Sequence, residues 1–400
     1  MSYYVGVDVS KLKHTISIID DKGEIIEKDF DINNTRQGFN ELLSRLSVLM
    51  PKDAIFIGME ATGHYMRCLA RMLINHQYHV EILNPSLIVN FRNSIQVSQA
   101  KTDKLDAFLI ARYMQCNAFA PSQVLSNNIE RLRKLTHAKN FFMKDRTKCF
   151  NHLHRYLDET FPELIDFMKT KDDGSKKVIG KNLFEHESFR WLIYNYPSAN
   201  KVASMRIESG EKLRKLSRGR ISAIGFIRLK ETAKNSIGYS TEEDELIIKS
   251  LIEEIEIIDK KLSTIDKSIK DIMLEINSPI LSIPGIGLNL AATILAEIGD
   301  IHRFNNPEKL IKFAGLDVNI YQSGTILKVG KIRKRGSSLL RYALTLSVQK
   351  LRIHSPVFAY FYSKKIAEGK RVTVALIATA RKLLRVIWKL MTTNQQFVTE

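Results

Sequence analysis

Between residues 241 and 276, Leu251, Ile255, Ile258, Leu262, Ile265, Ile269 and Ile272 recur every three or four positions among Glu, Asp and Lys. A stripe of this kind, kept up for about five heptads, is the seam of a coiled coil, and a single helix cannot bury it. Either a second copy of the chain or another helix of the same chain must cover it. Residues 129–164 offer that helix, with Leu132, Leu135, Phe142, Leu153 and Leu157 as candidate buried positions and Pro162 marking its end. Its remaining surface carries Arg131, Arg133, Lys134, Lys139, Lys144, Arg146, Lys148 and Arg155. That side either faces phosphates or is simply solvated.

The first hundred residues read differently. In Tyr3-Tyr4-Val5-Gly6-Val7-Asp8-Val9, the valines fall on one face of a strand and Tyr4, Gly6 and Asp8 on the other. Residues 14–20 and 24–32 read as two further strands around the turn Asp21-Lys22-Gly23, giving an antiparallel meander. A helix over 35–49 and an apolar strand over 54–60 follow, then a helix over 63–74, a strand over 79–83, and a connection that begins at Pro85. Three strands, helix, strand, helix, strand, helix is the order of a ribonuclease-H-like sheet. The expected fold class is therefore α/β followed by all-α.

Lys101-Thr102-Asp103-Lys104-Leu105-Asp106 opens the next helix and sets Asp103 and Asp106 one turn apart on one face. Alone, such a pair is an acid-rich first turn that complements the helix dipole. Asp8 and Glu60 likewise are, one at a time, strand-end acids meeting water. In an open sheet, however, strand ends and the helix starts beside them line one crevice, so all four can converge. Four carboxylates around one point need cations. Two Mg²⁺ ions roughly 4 Å apart, bridged by a scissile phosphate, are the expected answer.

Lys and Arg total 61 against 43 Asp and Glu, a net charge of +18, so a polyanionic partner is expected. The excess is uneven. Residues 280–400 hold 19 basic and 6 acidic side chains, whereas 1–160 hold 21 and 17. The three cysteines show no metal-ligand spacing and read as reduced thiols; with no signal peptide and no bilayer-length apolar run, the expectation is a cytoplasmic protein with no membrane partner.

The basic C-terminal part opens with Ser282-Ile283-Pro284-Gly285-Ile286-Gly287, a helix-hairpin-helix type turn whose Gly285 and Gly287 let backbone N–H groups approach a phosphate. Asn305 and Asn306 cap a helix to Phe313. Lys328, Lys331, Arg333, Lys334 and Arg335, spaced by Gly324, Gly330 and Gly336, describe a loop laid on a phosphate backbone. Ser323 stands just ahead, and a Ser-Gly pair by itself is an ordinary turn. Apolar helices over 339–351, 357–368 and 373–391 supply a core. Residues 169–177 read as a loop and 183–238 as short helices broken at Pro197, Gly210, Gly219 and Gly225, without a legible function. The chain thus divides into 1–157, 158–279 and 280–400.

Gly6-Val7-Asp8-Val9-Ser10-Lys11, Gly58-Met59-Glu60-Ala61-Thr62-Gly63-His64-Tyr65 and Lys101-Thr102-Asp103-Lys104-Leu105-Asp106-Ala107, followed by Pro284-Gly285-Ile286-Gly287, Ser323-Gly324 and Lys331-Ile332-Arg333-Lys334-Arg335-Gly336, resemble the DEDD transposases of bacterial and archaeal insertion sequences, the bridge-RNA-guided recombinases. The resemblance spans nearly the full chain, with the motifs in the family's order. It implies a RuvC-like N-terminal domain, a coiled-coil middle and a C-terminal transposase domain. Carried over, Asp8, Glu60, Asp103 and Asp106 bind Mg²⁺ and Ser323 forms a transient phosphoserine link to DNA. It further implies target and donor DNA chosen by a bridge RNA, a homo-tetramer built from dimers, and association with the nucleoid when DNA is bound.

Two rival readings stay open at the level of sequence: a Mg²⁺-dependent nuclease or junction resolvase in which water attacks, and a non-catalytic nucleic-acid-binding protein. An actin-like ATPase expects glycine soon after Asp8, where Val9-Ser10-Lys11 stand, and a proofreading exonuclease wants Glu at position 10, which is Ser.

Overall fold

The valine alternation of the first strand is realised as β1 (Tyr3–Val9), with Val5, Val7 and Val9 buried. The computed structural model describes residues 1–61, 63–95, 102–117, 126–170, 182–323, 326–332 and 336–398, the side chains of 28 and 318–331 excepted. These fall into two compact units, Met1–Ser126 and Asn127–Glu400.

In the first unit, β2 (Lys13–Asp20) and β3 (Ile25–Asn33) complete the meander, and β4 (Ile55–Glu60) and β5 (His79–Leu83) extend it on the other side. The sheet order is β3-β2-β1-β4-β5, antiparallel from β3 to β1 and parallel from β1 to β5. One face packs Val5, Val7, Ile16 and Ile57 against Leu42 and Leu46 of α1 (Arg36–Val48) and Leu69 and Leu73 of α2 (Met66–Asn75). A smaller core holds Leu83 with Ile88 of α3 (Pro85–Ser94) and with Leu109, Ile110 and Met114 of α4 (Asp103–Cys116). The connection expected from Pro85 is thus a helix instead. Proline is suited to the first helical turn, and the Asn84 side chain accepts from Ser86 N–H at 3.0 Å as the cap.

The second unit is helical and is built on α5 (Asn127–Thr160). Among the described residues, the helices that come next are α6 (Leu164–Lys169), α7 (Glu187–Asn195), α8 (Ala199–Ala203), α9 (Ile207–Leu216) and α10 (Ala223–Lys234). Gly210 and Gly225 do not break helices as expected but sit inside α9 and α10. Gly210 leaves room for the Phe226 ring, and the N–H of Gly225 donates to the Ser222 cap. The expected loop over 169–177 lies from residue 171 outside the described residues.

The heptad stripe becomes α11 (Glu242–Ile276), opened by a reciprocal Thr241–Asp244 capping box. Ion pairs run Arg131–Glu275, Lys139–Asp266 and Arg146–Asp259, falling along α11 as they rise along α5, so the two long helices are antiparallel. Of the two ways to cover the stripe, folding back on α5 is therefore present within the chain. One end of the pair shares a core with α6–α10, through Phe150, Leu153, Leu157, Ile248, Ile252 and Ile255. The other end, through Leu132, Ile269, Ile272 and Met273, joins the C-terminal helices.

Those are α12 (Leu288–Ile298), α13 (Pro307–Phe313), α14 (Ser338–His354), α15 (Pro356–Ala367) and α16 (Val372–Thr393). Between α13 and α14 the expected loop is an antiparallel hairpin, β6 (Val318–Ser323) with β7 (Ile326–Ile332). Val318, Ile320, Tyr321, Ile326, Val329 and Ile332 favour strands, and that preference prevails over the Gly and Lys spacing read as loop. Among the described residues no helix is long and apolar enough to cross a membrane.

Candidate active site

Two glycines decide where the acids go. Gly6 on β1 and Gly58 on β4 are register partners, and α4 lies across both. A Cβ on Gly6 would stand 2.0 Å from the Ala107 carbonyl oxygen and 2.5 Å from the Ala111 nitrogen; one on Gly58 would meet Met114 Cγ at 2.6 Å. The helix backbone therefore rests directly on β1. Because strand side chains alternate, Asp8 and Glu60, two residues beyond these glycines, belong to the same face.

The direction of α4 follows from its other end. Gln115 Nε2 donates to Asp21 O at 2.9 Å, in the turn after β2, and that turn lies beside the start of β1, where Tyr3 pairs with Asp20. The N-terminus of α4 thus points to the finishing ends of β1 and β4. From Ala107 back to Asp103 the helix climbs about 6 Å, and from Gly6 to Asp8 the strand advances about 7 Å, so the two acids reach the same level. The hydrogen bond and charge of Asp31 hold the Lys13 ammonium, at the start of β2, above its ordinary pKa, and Asp103 adds the smallest contribution.

The four acids differ in setting. Asp8 and Glu60 are half-buried, and Asp103 is exposed at the first position of α4, where the Thr102 hydroxyl caps by accepting from Leu105 N–H at 3.2 Å. Asp106 is paired with Arg92 of α3, both side chains being largely shielded from water. Among the described residues no group of three or more His, Cys, Asp or Glu is drawn close enough to hold a metal ion. What fits a magnesium ion is the donor chemistry: carboxylate oxygens, carried to one end of one sheet.

Sequence reasoning misses three residues, two beside these acids and one in the other unit. Arg92 gives no signal in the sequence, since the stretch from Pro85 reads as a connection. Asp31 completes a cross-strand row, because Asp8 registers with Thr15 and Thr15 with Asp31. Lys13 donates to Asp31 at 2.7 Å and Thr15 Oγ1 does so at 2.7 Å, and these bonds hold the Asp31 carboxyl below the usual carboxylate range. The third is Glu297 in the helical unit, bonded by His137 Nε2 at 2.6 Å and by Ser337.

The remaining expected residues all belong to the second unit. Ser323 is the last residue of β6 and registers with Ile326; Lys328 and Lys331 lie on β7. Arg333, Lys334 and Arg335 lie outside the described residues. Gly285 has φ +85°, and a Cβ there would touch Lys350 and His354 of α14 at 3.2–3.4 Å. Gly287 is the N-cap of α12, with open space at its Cα and no side chain capping the first turn.

Comparison with known proteins gives two family matches. Residues 5–162 match a model described as a transposase, the DEDD transposase domain of IS110 elements, and residues 277–363 match one described as transposase, IS116/IS110/IS902 family. The uncharacterised 44.8 kDa protein of insertion element IS116 from Streptomyces clavuligerus is 23% identical over 98% of this chain and 96% of its own. The pilin gene-inverting protein of Moraxella bovis is 23% identical over 98% and 97%. The transposase for insertion sequence element IS1111A of Coxiella burnetii is 31% identical over 29% of this chain and 33% of its own. The two family matches lie in order, together span more than half of the sequence, and take in all four acids and Ser323: the chain belongs to the IS110/IS116 family of transposases.

Proposed function

We propose that this transposase cuts and rejoins DNA strands through a covalent phosphoserine link formed by Ser323, with Asp8, Glu60, Asp103 and Asp106 holding Mg²⁺. The observation that carries this reading is the seating of α4 on Gly6 and Gly58, which brings Asp103 and Asp106 to the strand ends of Asp8 and Glu60. A ribonuclease-H-like, RuvC-like domain then lies within 1–157, in keeping with the strand order of the first unit, and is followed by parts 158–279 and 280–400.

Bound Mg²⁺ supplies Lewis-acid stabilisation of the phosphate charge as it develops. The chain's own residues do the rest. Ser323 Oγ forms the bond to phosphorus as the strand's bridging P–O bond breaks, and the departing hydroxyl takes up a proton. A hydroxyl from a second strand later attacks the phosphoserine, restores the diester and returns the proton to Ser323. Each step exchanges one phosphate ester for another, so no nucleotide hydrolysis is needed. Gly285, Gly287, Lys328, Lys331, Arg333, Lys334 and Arg335 hold the DNA backbone. Target and donor are selected by a bridge RNA that the +18 charge helps to bind, in a homo-tetramer built from dimers.

The test incubates the protein with guide RNA, paired DNA substrates and Mg²⁺, then denatures it. The expected result is a protein–DNA adduct that survives denaturation, is lost in Ser323→Ala, and is reduced at least about 100-fold in Asp103→Asn. Cleavage without an adduct would overturn the serine step in favour of attack by water. Adduct formation by Ser323→Ala would do so in favour of another nucleophile.

A further inference from the structure

The β6–β7 hairpin leaves the helical core after Leu316 and returns at Gly336, and its two ends are tied together there. Arg341 of α14 donates to Gly336 O at 3.0 Å and to Ala314 O at 3.2 Å. Gly336 packs so closely that a Cβ would stand 2.2 Å from Phe313 O. Ser337 then caps α14, accepting from Leu340 N–H at 3.0 Å, and donates its own hydroxyl proton to Glu297.

Glu297 is unusual among the acids of the second unit. It lies on α12 and is only 4% exposed. A buried carboxylate is tolerated when its oxygens are hydrogen-bonded, and here one oxygen takes Ser337 while the other takes His137 Nε2 of α5 at 2.6 Å. One carboxylate therefore joins α5, α12 and the exit of the hairpin.

A buried carboxylate bonded to an exposed histidine invites a catalytic reading, and the length of β6 argues against it within one chain. Ser323 is five residues along β6 from Val318, about 17 Å of strand beyond the tethered end. Glu297 and His137 sit at the base of the hairpin and Ser323 at the far end of its first strand. What the base controls is aim. A tilt of only about 3° at the foot moves the far end by about 1 Å, enough to cost on the order of 100-fold in a reaction that needs in-line attack.

We propose that Glu297 is a positioning residue that, with Ser337 and Arg341, clamps the foot of the β6–β7 hairpin and so aims Ser323 at DNA. This rests on the reading of Ser323 as nucleophile. The clamp itself needs only the contacts above.

The test follows amide hydrogen exchange of residues 318–332 in the full chain, and in parallel the rate and DNA concentration dependence of adduct formation. For Glu297→Ala, exchange in the hairpin rises at least about 10-fold and the adduct rate at saturating DNA falls about 100-fold, while the half-saturating DNA concentration stays within about 2-fold. Glu297→Gln recovers most of both, because its amide oxygen still accepts from Ser337 and its N–H can donate to His137. Ser337→Ala, which keeps the Glu297–His137 contact, gives a smaller loosening of the same kind and serves if Glu297→Ala does not fold. Hairpin exchange and adduct rate unchanged in Glu297→Ala, or in Ser337→Ala where that variant serves, would overturn the clamp. A loosened hairpin in these variants, beside a wild-type protein that never forms an adduct, would uphold the clamp and overturn the nucleophile.

Discussion

Arg92, in the last turn of α3, donates its guanidinium to the carboxylate of Asp106 in the first turn of α4. The pair neutralises one of the four acids from within the chain, so any cation drawn to Asp106 competes with a side chain already there.

Arg92→Gln should therefore bind divalent cations more tightly, by several-fold, and Asp106→Asn more weakly, as read by Mn²⁺ titration calorimetry of the protein without nucleic acid. In the absence of divalent cations Arg92→Gln should lose about 1–2 kcal/mol of stability, less than a fully buried pair would, because water still reaches both groups. Unchanged or weaker Mn²⁺ affinity in Arg92→Gln would rule out the competition.

Gly6→Ala and Gly58→Ala should differ, although the two residues are register partners. The new methyl at Gly6 meets the α4 backbone and cannot be accommodated without lifting the helix, at a cost of about 3 kcal/mol and with the acids displaced. At Gly58 it meets the Met114 side chain, which can turn aside for about 1 kcal/mol. Chemical denaturation measures both. Equal losses would mean that the backbone contact at Gly6 does not set the position of α4.

His14 gives the first unit an acid-sensitive point. It is fully buried, stacked on Phe39, and desolvation pushes its pKa below the ordinary 6.5. The unfolded chain then takes up the proton first, so the stabilising contribution of neutral His14 is complete above pH 6.5 and declines as pH falls towards the folded-state value. Replacing His14 with Phe should flatten stability between pH 7 and about pH 5.5, measured by denaturant titration at a series of pH values. A slope as steep as in the wild type would place the sensitivity elsewhere.

What sequence reveals here is what repeats locally. The alternation of Val5, Val7 and Val9, the heptad stripe of α11 and the Asn306 cap, which accepts from Lys309 N–H at 3.0 Å, each obey a rule that spans a few residues. The strand and helix ends that carry the acids are legible for the same reason, whereas the pairing of β1 with β4 and the seating of α4 on Gly6 are not. Partners that meet only after folding leave no such trace. Arg92 meets Asp106 across segments that do not repeat, Thr15 meets Asp31 across two strands, and Ser337 meets Glu297 from 40 positions away. The hairpin is obscured for another reason: its lysines and glycines suggest a loop, while the β-branched residues between them decide the backbone.

The antiparallel pairing of α5 with α11 has a thermodynamic consequence. Each of these helices threads both hydrophobic centres of the second unit, about 50 Å from end to end, and each contributes side chains to the one holding Phe150 and to the one holding Leu132. Fraying either centre strips the shared rods of half their cover, so the short helices and the serine-bearing end should melt in a single transition.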